Sequence, residues 1–218
     1  TCGKAIYKQT EQSTSLIINP EIRENKQTIS GRIIDLKYNN GVLENIYIPS
    51  GANVKTITQG FKKHQKISKN ENNKLILDFV NDLSGNSLKG FFDEGMLDSL
   101  QLEGMAKTHY HIFEDSIYQG ENIASGDTII LQFYQNDINK IIVHGGSRGE
   151  YKPDTVSSNI EGPISYSSEI IKYNVNEEET DLHGDAKIHY TNMNLDAGFV
   201  NVNWVTNILE AKAKSNAY

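Results

Sequence analysis

His109 and His111 form a His-x-His pair, and on an extended segment such spacing puts both imidazoles on one face, where they could ligate a metal ion. No cysteine or second His-x-His completes a site, and His109 aligns with His189 in an internal repeat. A polar strand face is therefore the simpler reading, with no metal and no cofactor expected. His64, His144 and His183 stand in turn-like contexts. Glu177, Glu178 and Glu179 fall at an expected hairpin tip. Paired carboxylates hydrolyse glycosides, but adjacent acids in a turn are ordinarily solvated charge. Gly145-Gly146-Ser147-Arg148-Gly149 has the glycine content of a phosphate-cradling loop. It lacks Gly-Lys-Ser/Thr and precedes no helix whose dipole would assist, so a corner between strands fits it better. No serine has a nucleophile-elbow context. Catalysis is not expected.

The elements that must position these residues are short strands. The chain has 218 residues, 28 acidic and 21 basic side chains and a formal charge of −7. With no block of Lys or Arg it carries no electrostatic footprint for nucleic acid or an anionic membrane surface. Its hydrophobic share of 37% is low against the usual ~45–50%, so each element is expected to bury one face only. No apolar run reaches the roughly 18–20 residues of a membrane span. Thr1 is followed by no signal-peptide pattern, and the chain reads as a soluble piece processed or cut from a longer one. The single cysteine, Cys2, excludes an internal disulfide framework.

Seventeen glycines and only four prolines, set among many Asn and Asp, imply frequent tight turns. Between them apolar residues alternate: Ile34, Leu36 and Tyr38; Ile129, Leu131 and Phe133; Ile141 and Val143; Val200, Val202 and Trp204. Helical spacing is scarce, the nearest candidate being Glu94 to Leu102.

Three segments repeat at intervals of 41 and 39 residues: Gly104-Met105-Ala106 with Tyr110, Gly145-Gly146-Ser147 with Tyr151, and Gly184-Asp185-Ala186 with Tyr190. A looser copy includes Gly51-Ala52, and Gly3 to Tyr7 looks like the tail of another. Ser30 to Tyr38 also aligns without gaps on Ser125 to Phe133, with a third version at Ser168 to Tyr173. The unit is strand, turn, strand, small-residue corner, strand. Because a lone hairpin is only marginally stable, such units must stack. The repeated tyrosines are expected to close the end of a layer, and Trp204 to share the inner face of Val200 and Val202. Lys55 to Asn73, rich in Lys, Gln and Asn, breaks the pattern and is expected to form an irregular loop or insertion.

The Gly-Asp-Thr-Ile start at Gly126, the alternation at Leu131 and Phe133, the pair Ile141 and Val143 and the Gly-x-Ala/Ser corner together resemble the OstA-like (organic solvent tolerance) repeat of the LptA–LptD lipopolysaccharide-transport family. The likeness is best over Ser116 to Ala213 and weaker over Gly3 to Ala52. The long Lys55 to Asn73 segment and the incomplete end units depart from that family. The resemblance implies an all-β, elongated antiparallel β-jelly-roll, or β-taco, of stacked hairpins running through residues 1–218 as one domain of a longer chain. It implies a periplasmic transport component whose inner groove carries the acyl chains of lipopolysaccharide or a related glycolipid toward the outer membrane. It also implies edge-strand pairing with other β-jelly-roll transport proteins.

On that reading the groove is lined by Ile34, Leu36, Tyr38, Ile129, Leu131, Phe133, Ile141, Val143, Ile171, Tyr173, Val200 and Val202. Lys107, Arg148, Lys152 and Lys187 fall near equivalent corners, where a row of cations could meet lipid phosphates or simply face solvent. A structural or adhesive β-solenoid with a dry interior and no lipid ligand accounts for the same periodicity, and a β-helical polysaccharide-active enzyme is a third reading.

Overall fold

The structure, a computed structural model, describes residues 1–63, 76–135, 137–204, 206 and 208–214. Most of the expected irregular segment, together with His64, lies outside the described residues. Its start does not behave as expected, for Lys55 to Gly60 continue a regular strand.

All elements are strands. The first eight are β1 (Lys4–Lys8), β2 (Ser13–Ile17), β3 (Glu21–Glu24), β4 (Gln27–Ser30), β5 (Ile33–Asn39), β6 (Val42–Ile48), β7 (Ala52–Gly60) and β8 (Leu77–Gly85). The others are β9 (Ser87–Asp93), β10 (Met96–Glu114), β11 (Ile117–Tyr134), β12 (Asp137–Pro153), β13 (Ile164–Asn174), β14 (Glu179–Tyr190), β15 (Met193–Asn203) and β16 (Ile208–Lys212). They form one antiparallel sheet whose main path is β1-β2-β5-β6-β9-β10-β11-β12-β13-β14-β15-β16, with β3, β4, β7 and β8 branching from it. Twelve strands in near-sequential order, each about 4.8 Å from the next, make an elongated stack. The helix candidate at Glu94 to Leu102 is a turn and the start of β10, and His144 and His183 lie inside β12 and β14 rather than in turns.

Local chemistry fixes the hairpins. Asn40-Gly41, Glu94-Gly95 and Asp115-Ser116 all have positive φ at both positions. That conformation matches the right-handed twist of the strands they join.

The repeated corner has an equally specific conformation. Gly104 and Met105 have φ of 74° and 52°, Gly145 and Gly146 of 78° and 58°, and Gly184 and Asp185 of 72° and 49°. The following Ala106, Ser147 and Ala186 are fully buried. The pairing register slips at these sites, between Glu103 and Ala106, His144 and Ser147, and His183 and Ala186. Such bulges bend a strand and increase its twist. Aligned across β10 to β15, they fold the sheet into two arms. The upper arm holds 96–103 of β10, 128–134 of β11 and 199–203 of β15; the lower arm holds 106–114, 117–125 and 193–197. Upper-arm Leu102, Ile129 and Val200 share one buried cluster with lower-arm Ala106, Ile188 and Ala197. The apolar sides of the arms therefore face each other, which is the β-jelly-roll architecture.

Candidate functional site: the apolar inner face

Side-chain alternation sends every second residue of the upper arm inward, and the register aligns these residues into rows that cross the strands. The innermost row runs Ile48, Leu88, Leu102, Ile129, Val143, Ile171, Leu182 and Val200, each opposing the next. No member is more than 4% exposed. A second row, nearer the open ends of the strands, runs Leu36, Ile46, Gly90, Leu100, Leu131, Ile141, Tyr173, Thr180 and Val202. A third pairs Tyr38 with Leu43, Phe92 with Leu97 and Phe133 with Ile138.

Depth divides the twelve residues expected to line the groove. Ile34, Ile129, Leu131, Val143, Ile171 and Val200 are sealed within the core. Leu36, Tyr38, Phe133, Ile141, Tyr173 and Val202 are half-buried and form its lip. Phe92, Leu97 and Ile138 belong to the same lip and were not singled out from the sequence; Ile138 opposes Phe133, which was, while Phe92 and Leu97 oppose each other.

The lower arm supplies smaller and more polar inner residues: Ala106, Thr108, Ala124, Ala186 and Ala197. Its bulk comes from Ile188, Leu195 and Ile164 together with tyrosines. Tyr166 lies across Gly149, where a Cβ would meet its ring at 2.2 Å, and its hydroxyl donates to Asn122 Oδ1 at 2.7 Å. Burial pushes the Tyr166 phenol up to about 12. Of the three repeated tyrosines, Tyr151 donates to the Gln119 carbonyl and Tyr190 accepts from the Glu161 backbone N–H. Tyr110 differs: its hydroxyl is buried with no hydrogen-bond partner among the described residues, and burial raises its pKa well above the usual value. Trp204 is not in the core. It lies just beyond β15, is 36% exposed, and donates through Nε1 to Thr180 Oγ1 at 2.9 Å.

The opposite side of the lower arm is charged. Lys107, Ser125, Arg148, Ser167, Lys187 and Asp196 follow one another across it. Three of the four anticipated cations thus do share a row, on the face turned away from the apolar one. Arg148 and Lys187 border an open trough of about 1000 Å³ that also takes in Glu150, Ser165 and His189. Lys152 stands apart from that row and pairs with Glu150 at 3.2 Å. Around the three acids, Glu178 sits in the turn with φ of 50°, and Glu179 begins β14 and accepts from Asn203 Nδ2 at 2.9 Å. They do not form a facing carboxylate pair.

The His-x-His pair is brought to further partners. His109 Nε2 lies 2.8 Å from Glu121 Oε2, and His111 Nδ1 lies 3.0 Å from Asn81 Oδ1. Glu121 and Asn81 were not picked out from the sequence; each reaches the pair only through strand pairing.

No family model matches the chain, and no curated protein matches it. Among solved structures it is similar to LptH, described as the LptA homologous periplasmic component of the conserved lipopolysaccharide transport device from Pseudomonas aeruginosa. That similarity has a TM-score of 0.48 and 15% sequence identity, covering 63% of this chain and 85% of that one.

Proposed function

We propose that this chain is a periplasmic lipid-transport component that holds the acyl chains of lipopolysaccharide, or of a related glycolipid, along the lip of its apolar inner face and passes the lipid toward the outer membrane. The observation that carries the reading is the lip itself: Leu36, Tyr38, Phe92, Phe133, Ile141, Tyr173 and Val202 are half-buried, mainly apolar side chains near the open ends of β5, β9, β11, β12, β13 and β15. Each exposed CH₂ of a lipid chain costs about 0.8 kcal/mol in water, so a mainly apolar ledge lowers the cost of crossing an aqueous gap. The sealed row behind it gives that ledge a rigid backing. No chemistry on the lipid is part of this reading, in which the chain is a carrier rather than an enzyme.

The terminal strands of the main path support the partner part of the reading. β1 and β16 are exposed throughout, and each pairs on one side only among the described residues. Such edges extend a sheet by accepting a strand from another β-jelly-roll protein.

One observation favours the competing structural reading, a scaffold that binds no lipid: the dryness of the innermost row. The two readings separate at Phe133. With a benzophenone amino acid at Phe133, ultraviolet irradiation in cells should give a crosslink to lipopolysaccharide. The same group at Gln132, which is exposed and points the other way, should give none. Absence of the adduct at Phe133, Phe92 and Val202 alike would overturn the transport reading in favour of the scaffold.

A further inference from the structure

Near the free end of the lower arm, β8 leaves β10 after three paired residues, Ser84 to Asp82 against Lys107 to His109. In the gap beyond, the Asn81 side chain takes over the lost pairing. Its Oδ1 accepts from the His111 backbone N–H at 2.9 Å, and its Nδ2 donates to Thr58 Oγ1 at 3.1 Å. Asn81 is 5% exposed, so these bonds hold it firmly.

This arrangement fixes the protonation of an imidazole without any hydrogen having to be seen. A backbone N–H can only donate, so the Asn81 atom facing it must be the oxygen. That same oxygen lies 3.0 Å from His111 Nδ1, so Nδ1 must carry the proton. The free lone pair of neutral His111 is then on Nε2. A ring N–H held by an amide or carboxylate oxygen, with the other nitrogen left bare, is the arrangement that orients metal-binding histidines.

The bare nitrogen has company. The His109 and His111 rings are 4.8 Å apart, and ligand atoms from His109, His111 and Glu121 all lie within 4.8 Å of one another. Glu121 presents Oε2 to His109 while Lys152 approaches only its other oxygen, at 3.9 Å. Lys62, the remaining nearby cation, is turned over the Tyr118 ring. Phe79, packed against His111 at 5.2 Å between centroids, bounds one side of the group. The His109 and Glu121 side chains are 33% and 26% exposed and His111 is half-buried, so ions and a solvent ligand have access.

We propose that His109, His111 and Glu121 form a binding site for one divalent transition-metal ion of borderline softness, Zn²⁺ in the first instance, with solvent in the fourth position. Two imidazoles and one carboxylate are a zinc donor set. Metal–ligand bonds of about 2.0–2.1 Å place tetrahedral ligand atoms roughly 3.3 Å apart, which small side-chain rotations supply from the present spacing. The ion would tie β10 to β11 beside the point where β8 departs. This site is separate from the apolar face, and it stands or falls independently of the transport reading.

The test is calorimetric titration of the tag-free chain with Zn²⁺. One ion per chain is expected, with affinity falling at least 10- to 100-fold in His109→Ala, in His111→Ala and in Glu121→Gln. His189→Ala is the control. It removes the repeat-equivalent histidine, whose Nδ1 contacts Asn194 at 2.8 Å and which belongs to no candidate ligand cluster among the described residues, and it should leave binding unchanged. Metal-free melting curves matching the parent establish that the variants are folded. Co²⁺ in place of Zn²⁺ should give the intense visible absorption of four-coordinate cobalt, lost in His111→Ala. No saturable binding, binding indifferent to His111→Ala, binding lost equally in His189→Ala, or only the weak six-coordinate cobalt spectrum would each overturn the site.

Discussion

The rings of Tyr151 and Trp204 lie 6.4 Å apart between centroids, inclined at 55°. Tyr151 belongs to the outer end of the lower arm on β12, and Trp204 follows the outer end of the upper arm on β15. At this point of the stack the two arms therefore touch at their tips as well as along the corner.

Trp204 is the only tryptophan, so its emission reports on this contact. Removing it as Trp204→Ala should lower the melting temperature by about 2–4 °C, the loss of an aromatic pair worth around 1 kcal/mol in a chain of this size. The same change should increase binding of an apolar fluorescent dye. An unchanged dye signal would mean that the tips do not restrict access.

The sealed and half-buried residues should respond differently to truncation. Ile129→Ala removes a side chain that is 0% exposed and should cost about 2–5 kcal/mol in urea unfolding. Phe133→Ala should cost nearer 1 kcal/mol, since part of its ring already meets water, yet it should reduce lipid crosslinking from neighbouring lip positions. Equal costs at the two sites would contradict the depth gradient.

Two tyrosines of the repeat should give opposite signs when the hydroxyl is removed. Tyr110→Phe deletes a buried hydroxyl without a partner among the described residues and should stabilise by about 1 kcal/mol, whereas Tyr151→Phe loses the bond to the Gln119 carbonyl and should destabilise by about as much. Chemical denaturation of the pair against the parent decides it.

Alkaline pH should unfold the protein through its buried phenols. Burial is the largest cause of the upward shifts at Tyr118 and Tyr166, each to about 12, against about 10 in the unfolded chain. The folded state thus binds these protons more tightly. That contribution is complete below about pH 10 and disappears as pH rises toward 12. Phenolate absorbance and circular dichroism followed together should change in one transition, and Tyr166→Phe should make stability less steeply dependent on pH above 10.

At the corners, Gly184 and Gly149 should fail for different reasons. A Cβ on Gly184 would meet Glu169 Oε2 at 2.3 Å, but that carboxylate can swing away. Gly184→Ala should therefore cost mainly the strain of φ at 72°, about 1 kcal/mol. At Gly149 the obstacle is the half-buried Tyr166 ring, held by its hydrogen bond, so Gly149→Ala should cost about 1–3 kcal/mol and disturb the bond to Asn122. Comparison of urea midpoints with a common slope tests the order.

Much of the architecture is local and was legible in the residues. Alternation at Ile129, Leu131 and Phe133 names the inward side, because a strand reverses side-chain direction at each residue. The recurring Gly-x-Ala/Ser marks the bend, because consecutive positive φ values followed by a packed small side chain suit few residue types. Depth is not local. Ile129 and Phe133 share one strand and one face, yet one is sealed and the other lies on the lip, according to how closely the opposite arm approaches. Likewise His109 and His111 are neighbours by sequence, while Glu121 and Asn81 join them through the register of β10 against β11 and the departure of β8. Trp204, expected beside Val200 and Val202, falls just past the end of β15 and stays partly exposed, and Lys55 to Gly60, polar enough to read as loop, became strand because β8 pairs with all of it and β4 with its start. Period and turn chemistry decided which way each side chain points; the distance between the two folded arms decided what each one meets, since that distance is set by contacts among residues far apart in the chain.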